Sequence, residues 1–431
     1  MTFNKKLLTA IRKKFPLVDR DATGRKRVFF DAGAGTQILA SSVRAMTKTS
    51  LDYAANIGSN YPESAGTDKA VLDGRSAIAD FLNAPDPKTI VSGESATNLL
   101  GRLSYAIGKT TSGNDNVVST YMEHLADASP WFEMERRGWV KEARWVGLNE
   151  DTTLNMNDLK SKVDKDTKVV AVTAAANLFG TKTRLKEIGK TAHEAGAYFV
   201  VDAVHQAPHG PLDVQDIDCD FLIISMYKIF SPKYISFMYG RKELLDKLTP
   251  YSVERNVTDV PDKWELGSPD PGKFAAVVAT MDYFSWLSKQ VQPEYKGKFS
   301  NYSGRARALK IALAAIEDYE KELTRATLTG FDDVPGLPDM PGLEFHGLRD
   351  LNRLDERCPT FAFRFPGRDE KETEKRFVMK YGIDLRYAFD SWNMAHNLWK
   401  IPRMARASMV HYNTVEDVHK FLRATKEIAK S

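Results

Sequence analysis

Four apolar runs in the middle of the chain each close on a residue that could do chemistry. FLIISMYK, Phe221 to Lys228, ends on a lysine; YFVVDAVH, Tyr198 to His205, carries Asp202 and ends on a histidine. VVAVTAAAN closes on Asn177 and NVVSTYMEH on His124. An ammonium group is costly to desolvate, so a lysine in Lys228's position either reaches solvent along its alkyl stem or is placed to lose its proton and form a covalent bond. In an open α/β sheet, ligands sit beyond the carboxyl ends of the strands, which brings His124, Asn177, Asp202, His205 and Lys228 towards one crevice.

The elements that must position these residues follow from the pattern around them. From about residue 90 to 240, Val- and Ile-rich runs alternate with helical segments, the signature of strands joined by helical crossovers. Thr89 to Asn98, followed by LLGRL, reads as strand, glycine turn and helix. Its free backbone N–H groups and the Ser95 and Thr97 hydroxyls suit an anion, or serve as an ordinary helix cap. A helix is expected around Ala306 to Thr324, a Pro- and Gly-rich connection over Thr329 to Gly342, half-exposed strands at Leu343 to Phe345 and Thr360 to Phe365, and a closing helix over Thr414 to Ala429. These spacings divide the 431 residues into an N-terminal helix packing on the body (1–25), a large domain (26–289) and a smaller C-terminal α+β domain (290–431).

Composition narrows the function classes. With 42% hydrophobic and 27% charged residues the chain is an ordinary globular sequence, so disorder is not expected. A formal charge of +4 gives little basis for a nucleic-acid partner, and no apolar run is long enough to span a bilayer. No secretory leader is visible, so a cytoplasmic location without membrane association is expected. Only Cys219 and Cys358 occur, both in strand-like surroundings, and no His or Cys spacing suits a metal; neither a disulfide framework nor a metal centre is expected.

An aspartate closing one strand and a lysine closing the next are what a pyridoxal phosphate enzyme requires, one to keep the pyridine nitrogen protonated and one to form the Schiff base. The chain resembles the class V aminotransferase superfamily from Asp31 onward. The blocks that carry the resemblance are DAGAGT from Asp31, Glu123-His124 with Pro130-Trp131, NLFGT from Asn177, DAVHQAPH from Asp202, SMYK from Ser225, RAS from Arg406, and HYNT from His411.

That resemblance implies an α/β fold of the fold type I pyridoxal phosphate-dependent transferases: a mainly parallel seven-stranded sheet domain with a smaller C-terminal α+β domain. It implies Lys228 as the Schiff-base lysine, Asp202 as partner of the pyridinium nitrogen and His124 as the stacking residue, with these three catalytic. Cofactor contacts carry over to Ser95, Ala96, Thr97, Asn177, His205, Ser225 and Tyr227, and substrate contacts to Arg406, Asn177 and Ala34. Ser268, in WELGSP, stands in the loop that approaches a neighbouring subunit's cofactor phosphate, which implies a homodimer.

Two features bear on the reaction. The stretch LRYAFDSW, Leu385 to Trp392, carries no cysteine where desulfurases of the superfamily do, so the expectation is a lyase or transferase other than a true cysteine desulfurase. The sequence looks closest to the cysteine-desulfurase-like branch related to isopenicillin epimerases and carbon–sulfur lyases. β-Elimination on an α-amino acid through a Cα carbanion is therefore favoured, with transamination or epimerisation as the alternative and a non-enzymatic scaffold disfavoured. Tyr61, Arg386, Tyr387, Phe389, Asp390 and Trp392 could shape the side-chain pocket or simply pack the loops.

Overall fold

The computed structural model describes residues 2–252, 257–388 and 403–430. Seven strands form the large sheet: β1 (Ile90–Gly93), β2 (Asn116–Thr120), β3 (Glu142–Val146), β4 (Thr167–Thr173), β5 (Tyr198–Asp202), β6 (Phe221–Ser225) and β7 (Ser236–Gly240). Their spatial order is β1-β7-β6-β5-β4-β2-β3. Only β7 runs against its neighbours, pairing antiparallel with β1 and β6, while the other pairs are parallel. The expected mainly parallel seven-stranded sheet is therefore present. Its central strands are buried along almost their whole length, which is why the sequence shows continuous Val and Ile runs rather than alternation.

Because β1, β2, β4, β5 and β6 point the same way, their carboxyl ends share one edge of the sheet. The strands stop earlier than the apolar runs suggest. β6 ends at Ser225, and Lys228 lies on a 3-10 turn, Met226–Lys228. β2 ends at Thr120, so His124 is the N-cap of the following helix rather than a strand residue. The run of apolar residues continues past the last ladder hydrogen bond because these turns are themselves buried.

The helices around the two sheets include α1 (Lys5–Arg12), α2 (Ala96–Gly108), α3 (Leu125–Arg136), α4 (Pro271–Val291), α5 (Gly304–Thr329) and α6 (Val415–Lys430). The Asn4 side chain caps α1 by accepting from the Leu7 N–H at 2.9 Å, and Arg12 donates to the Tyr412 carbonyl at 2.6 Å. Phe15, Phe230, Tyr283 and Phe284 meet between that end of the chain, α4 and the turn that follows Lys228. This aromatic packing fixes the back of the lysine turn.

The C-terminal part builds a second, antiparallel sheet from β8 (Glu344–His346), β9 (Thr360–Arg364), β10 (Arg386–Ala388) and β11 (Met404–Ser408), in the order β8-β9-β11-β10. α6 covers it with Phe421 against Phe363 and Phe377. The segment before residues 33–36 reaches this sheet through Asp31, which bridges to Ser408, while Val28–Phe29 pairs with Ile383–Asp384 in a separate two-stranded ladder. Residues 33–36 thus pass from the small sheet to the carboxyl edge of the large one. The predicted connection after α5 contains a short hairpin, Gly330–Phe331 with Val334–Pro335.

Candidate active site

The two sheets enclose a cavity of about 250 Å³. Its walls include Ala34, Ser95, Ala96, Thr97, His124, Asn177, Asp202, His205, Ser225, Tyr227, Lys228 and Arg406, residues that the sequence singled out from seven separate stretches. Ser268 is not among them; it is exposed on the loop before α4. Tyr61 is half exposed at the start of the helix Pro62–Leu82 and does not reach the cavity, whereas Arg386 does. Phe389, Asp390 and Trp392 lie outside the described residues, as does the side chain of Tyr387.

The floor is made by the ends of β5 and β6. Asp202 and Lys228 are only 5% and 8% exposed. Burial, reinforced by the neighbouring Asp127 carboxylate, pushes Asp202 up to about 7. Burial and the positive charge of Arg406 pull the Lys228 amine down to about 7, against the opposing pull of Asp31 and Asp202. Asp202 accepts from the Val204 N–H at 2.8 Å, and Lys228 donates to the Gly33 carbonyl. The lysine turn is held by Thr36, whose hydroxyl donates to the Tyr227 carbonyl at 3.2 Å and accepts from the Phe230 N–H at 3.0 Å.

Beside this floor, His124 accepts the Ala126 N–H at Nδ1, 3.0 Å away. Burial and the charges of Lys228 and Arg406 lower its imidazole to about 4, so it presents a flat, neutral ring at neutral pH. At the far end, Ser95 caps α2 by accepting the Asn98 N–H at 3.1 Å, and the helix start with Ala96 and Thr97 opens on the cavity. Ser225 lies opposite, its hydroxyl 2.9 Å from that of Ser236 on β7. A helix N-terminus with adjacent hydroxyls is a suitable seat for a phosphate. The turn is anchored by Glu265, which accepts from the Ser92 hydroxyl at 2.8 Å and forms a bidentate pair with Arg75 at 2.7 Å.

The opposite wall comes from the small sheet. Arg406 on β11 donates from Nη1 to the Asn177 carbonyl at 2.9 Å, while its buried Nε has no hydrogen-bond partner. Asp31 accepts from Arg406 at 3.4 Å and from Arg386 at 2.7 Å, so one carboxylate orients two guanidiniums. Gly33 is required by this closeness: a Cβ there would lie 2.8 Å from the Ser408 hydroxyl and 3.0 Å from the Arg406 guanidinium carbon. Gly180 performs the same service below Asn177, with φ +77° and the Cys358 carbonyl 2.6 Å from where a Cβ would stand.

These residues fit pyridoxal phosphate. A buried carboxylate held near neutrality wants a cation, a buried amine held near neutrality is a nucleophile, and a helix start wants an anion. An arginine with an unsatisfied buried N–H wants a carboxylate.

The family model described as "Aminotransferase class-V" matches residues 28–310. The chain belongs to this family. Among curated relatives, a probable cysteine desulfurase of Synechocystis sp. is 28% identical over 97% of this chain and 94% of its own length. A cysteine desulfurase of Enterobacter sp. is 28% identical over 97% of each. In fold, the class-V chain is similar to the apo cysteine desulfurase of Thermococcus onnurineus NA1, with TM-score 0.83, 24% identity and 98% of both chains covered. It is also similar to the Escherichia coli cysteine desulfurase CsdA in its S-sulfonic acid form, with TM-score 0.78, 23% identity and 99% of both chains covered.

The protein is thus a pyridoxal phosphate-dependent enzyme of the cysteine-desulfurase-like branch. It performs lyase-type chemistry at the Cα of an amino-acid substrate. The expectation that this class-V chain stands apart from true cysteine desulfurases is corrected by these relatives, which carry that name and match it nearly end to end. That expectation rested on one missing cysteine in a single stretch. A motif absent at one position is weaker information than similarity spread over the whole chain.

Several positioning residues escaped the sequence reading. Asp31 stood in a quoted block, yet its bridging of two arginines needs β10, β11 and the 28–31 segment to be brought together. Arg357, fully buried, donates to the Thr360 carbonyl at 2.7 Å and to Phe179 at 3.4 Å, tying the Asn177 loop to the small sheet. His205, which the sequence did single out, is held across the two sheets, its Nε2 lying 3.1 Å from the Thr360 hydroxyl. Cys219 and Cys358 are buried, neither lines the cavity, and desolvation pushes both thiols up, Cys358 to about 12.

Proposed function

We propose that the enzyme removes sulfur from a sulfur-bearing α-amino acid, with cysteine as the first substrate, and that it works as a cytoplasmic homodimer. The names of the whole-length relatives support the substrate class. What carries the catalytic reading is the juxtaposition of Asp202 and Lys228, each buried and each displaced to about 7, on the floor of one cavity walled by Arg406.

Pyridoxal phosphate, when bound, supplies an aldehyde that amines can capture and a ring that takes up electron density from Cα. Lys228 would be the amine that holds the cofactor and the base that takes the Cα proton on Nζ. Its low affinity for protons makes both roles available at neutral pH. Asp202 holds a proton at the ring nitrogen, and His124 offers the flat face against which the ring packs. Ser95, Ala96, Thr97 and Ser225 hold the phosphate, with Ser268 supplied by a second copy. Asn177, His205 and Tyr227 line the polar edge of the ring. Arg406, already oriented by Asp31, grips the substrate carboxylate and with Ala34 sets which Cα bond faces Lys228.

Loss of the Cα proton leads to several products, and the products test the proposal. The holoenzyme is incubated with cysteine and a small added thiol, and separately with cysteine sulfinate and simple amino acids. Alanine with sulfane sulfur on the added thiol is the expected result. Pyruvate, ammonia and sulfide in equal amounts would mean β-elimination of the same bond. Product only with an added keto acid, or racemisation alone, would overturn sulfur removal in favour of transamination or epimerisation. Borohydride trapping of the pyridoxyl group on the peptide containing Lys228 tests the lysine independently of substrate.

A further inference from the structure

Behind the cofactor-facing aspartate lies a second pair of carboxyl groups to which the proposed reaction gives no role. Glu123 and Asp127 flank His124 in sequence, and both are fully buried. One oxygen of each is satisfied: Glu123 Oε1 accepts from the Thr120 hydroxyl at 2.6 Å, and Asp127 Oδ1 accepts from the Trp131 indole N–H at 3.4 Å. The other two oxygens, Glu123 Oε2 and Asp127 Oδ2, are buried with no hydrogen-bond partner, the Thr173 backbone amide facing Glu123 from β4. The two side chains nevertheless lie within hydrogen-bonding reach of each other.

Two carboxylates cannot face each other in the interior with no donor between them; the arrangement is satisfied only if one is an acid. We propose that Glu123 and Asp127 share a single proton at neutral pH, and that the one negative charge left on the pair is a fixed electrostatic support beneath Asp202. Asp127 sits in the first turn of α3, where the helix dipole favours an anion, so the proton resides on Glu123.

The link to the site is short. The Thr173 backbone amide faces Glu123, and Thr173 is the cross-strand partner of Asp202. Both carboxyls of the pair are pushed up by burial, Asp127 to about 6, and the Asp127 charge is among the causes that raise Asp202. The groups that face the three carboxyls are Thr120, Trp131, the Thr173 and Val204 amides, and Lys228. Glu123 and Asp127 are positioning residues: they touch neither substrate nor ring, and they act through Asp202. A negative charge there favours a protonated ring nitrogen. That consequence rests on the pyridoxal phosphate reading; the proton count does not.

The experiment compares Glu123→Gln, Asp127→Asn and the double variant by infrared difference spectroscopy of the holoenzyme at neutral pH. An amide at either position can donate where the shared proton did, so each single variant keeps the pair's one negative charge and should fold. Wild type minus either single variant is expected to show loss of one protonated carboxyl and of no carboxylate. Going from a single to the double variant should remove one carboxylate. In the double variant the visible band of the bound cofactor should titrate at lower pH than in either single variant, because the supporting charge is gone. Loss of a carboxylate in a single variant would mean both groups are ionised. Loss of a second protonated carboxyl in the double would mean neither is. Either result overturns the proposal. An unmoved cofactor titration with the expected carboxyl changes would overturn the electrostatic role alone.

Discussion

The floor and the wall of the cavity hold their charges in opposite ways. On the floor, Asp202 and Lys228 are both driven towards neutrality by burial, and His124 is held neutral beside them. On the wall, Arg386 and Arg406 are permanently charged groups that share the carboxylate of Asp31. Parallel strands ending together place side chains in a dry crevice, where a proton is easily moved. An antiparallel sheet closing over it contributes guanidiniums that are held by geometry. Labour is divided accordingly: the floor carries the groups whose protons move, and the wall orients while the charge of Arg406 lowers the Lys228 amine from outside.

The comparison breaks most visibly at Lys228. Replacing it by alanine removes both the amine proposed to capture the cofactor and the proposed base. Turnover should fall by at least about 1000-fold, the upper part of the range for a positioned acid–base group. If the wall holds the substrate independently of the lysine, the variant loaded with cofactor should still bind cysteine, detected as a spectral change at substrate levels close to the wild-type KM. Activity within about tenfold of wild type would remove Lys228 from the chemistry.

A smaller effect is expected on the wall. Arg406→Lys keeps the charge but loses the planar fork, and with it one hydrogen bond to a charged carboxylate, worth about 1.5–3 kcal/mol. This corresponds to a rise of roughly 10- to 150-fold in KM. The pH dependence of kcat should stay where it was, since the floor groups are untouched. A shift in that pH profile would show that the lysine's charge does not reproduce the effect of Arg406 on the Lys228 amine.

How much of this was legible in the sequence follows the same division. The floor was readable because each strand run ends near its functional residue: Asp202 closes β5, and Lys228 stands three residues past β6. The periodicity that makes the strand also points to the site. Five residues, His124, Asn177, Asp202, His205 and Lys228, could therefore be placed at one edge from the strand runs alone. The wall was readable only by resemblance, as Arg406 lies inside an unremarkable MARAS strand. Its orientation depends on Asp31, 375 positions away, and no local pattern encodes that pairing. The Glu123–Asp127 pair was hidden differently. An acid beside a histidine and another in a helix's first turn look like solvated residues until burial shows that neither meets water.

The smallest expected effect is on stability in the cofactor-free protein, and it separates the two floor groups. Asp202 titrates near 7 when folded against 3.8 otherwise, so between those values the folded state holds the extra proton. Its presence therefore costs stability progressively as pH rises from about 4 to about 7, and the cost stays above that. Lys228 titrates near 7 when folded against 10.5 otherwise, so the unfolded state holds the extra proton across that higher range. Its cost is complete below about 7 and is relieved as pH rises towards about 10. Asp202→Asn should then raise the thermal midpoint of the cofactor-free protein most above neutrality, and Lys228→Met most below it, each by roughly a few degrees. Calorimetry across that pH range reads both curves. Parallel curves for the two variants would mean that Asp202 and Lys228 neutralise each other as an ion pair when the cofactor is absent, and the floor would then hold its charges as the wall does.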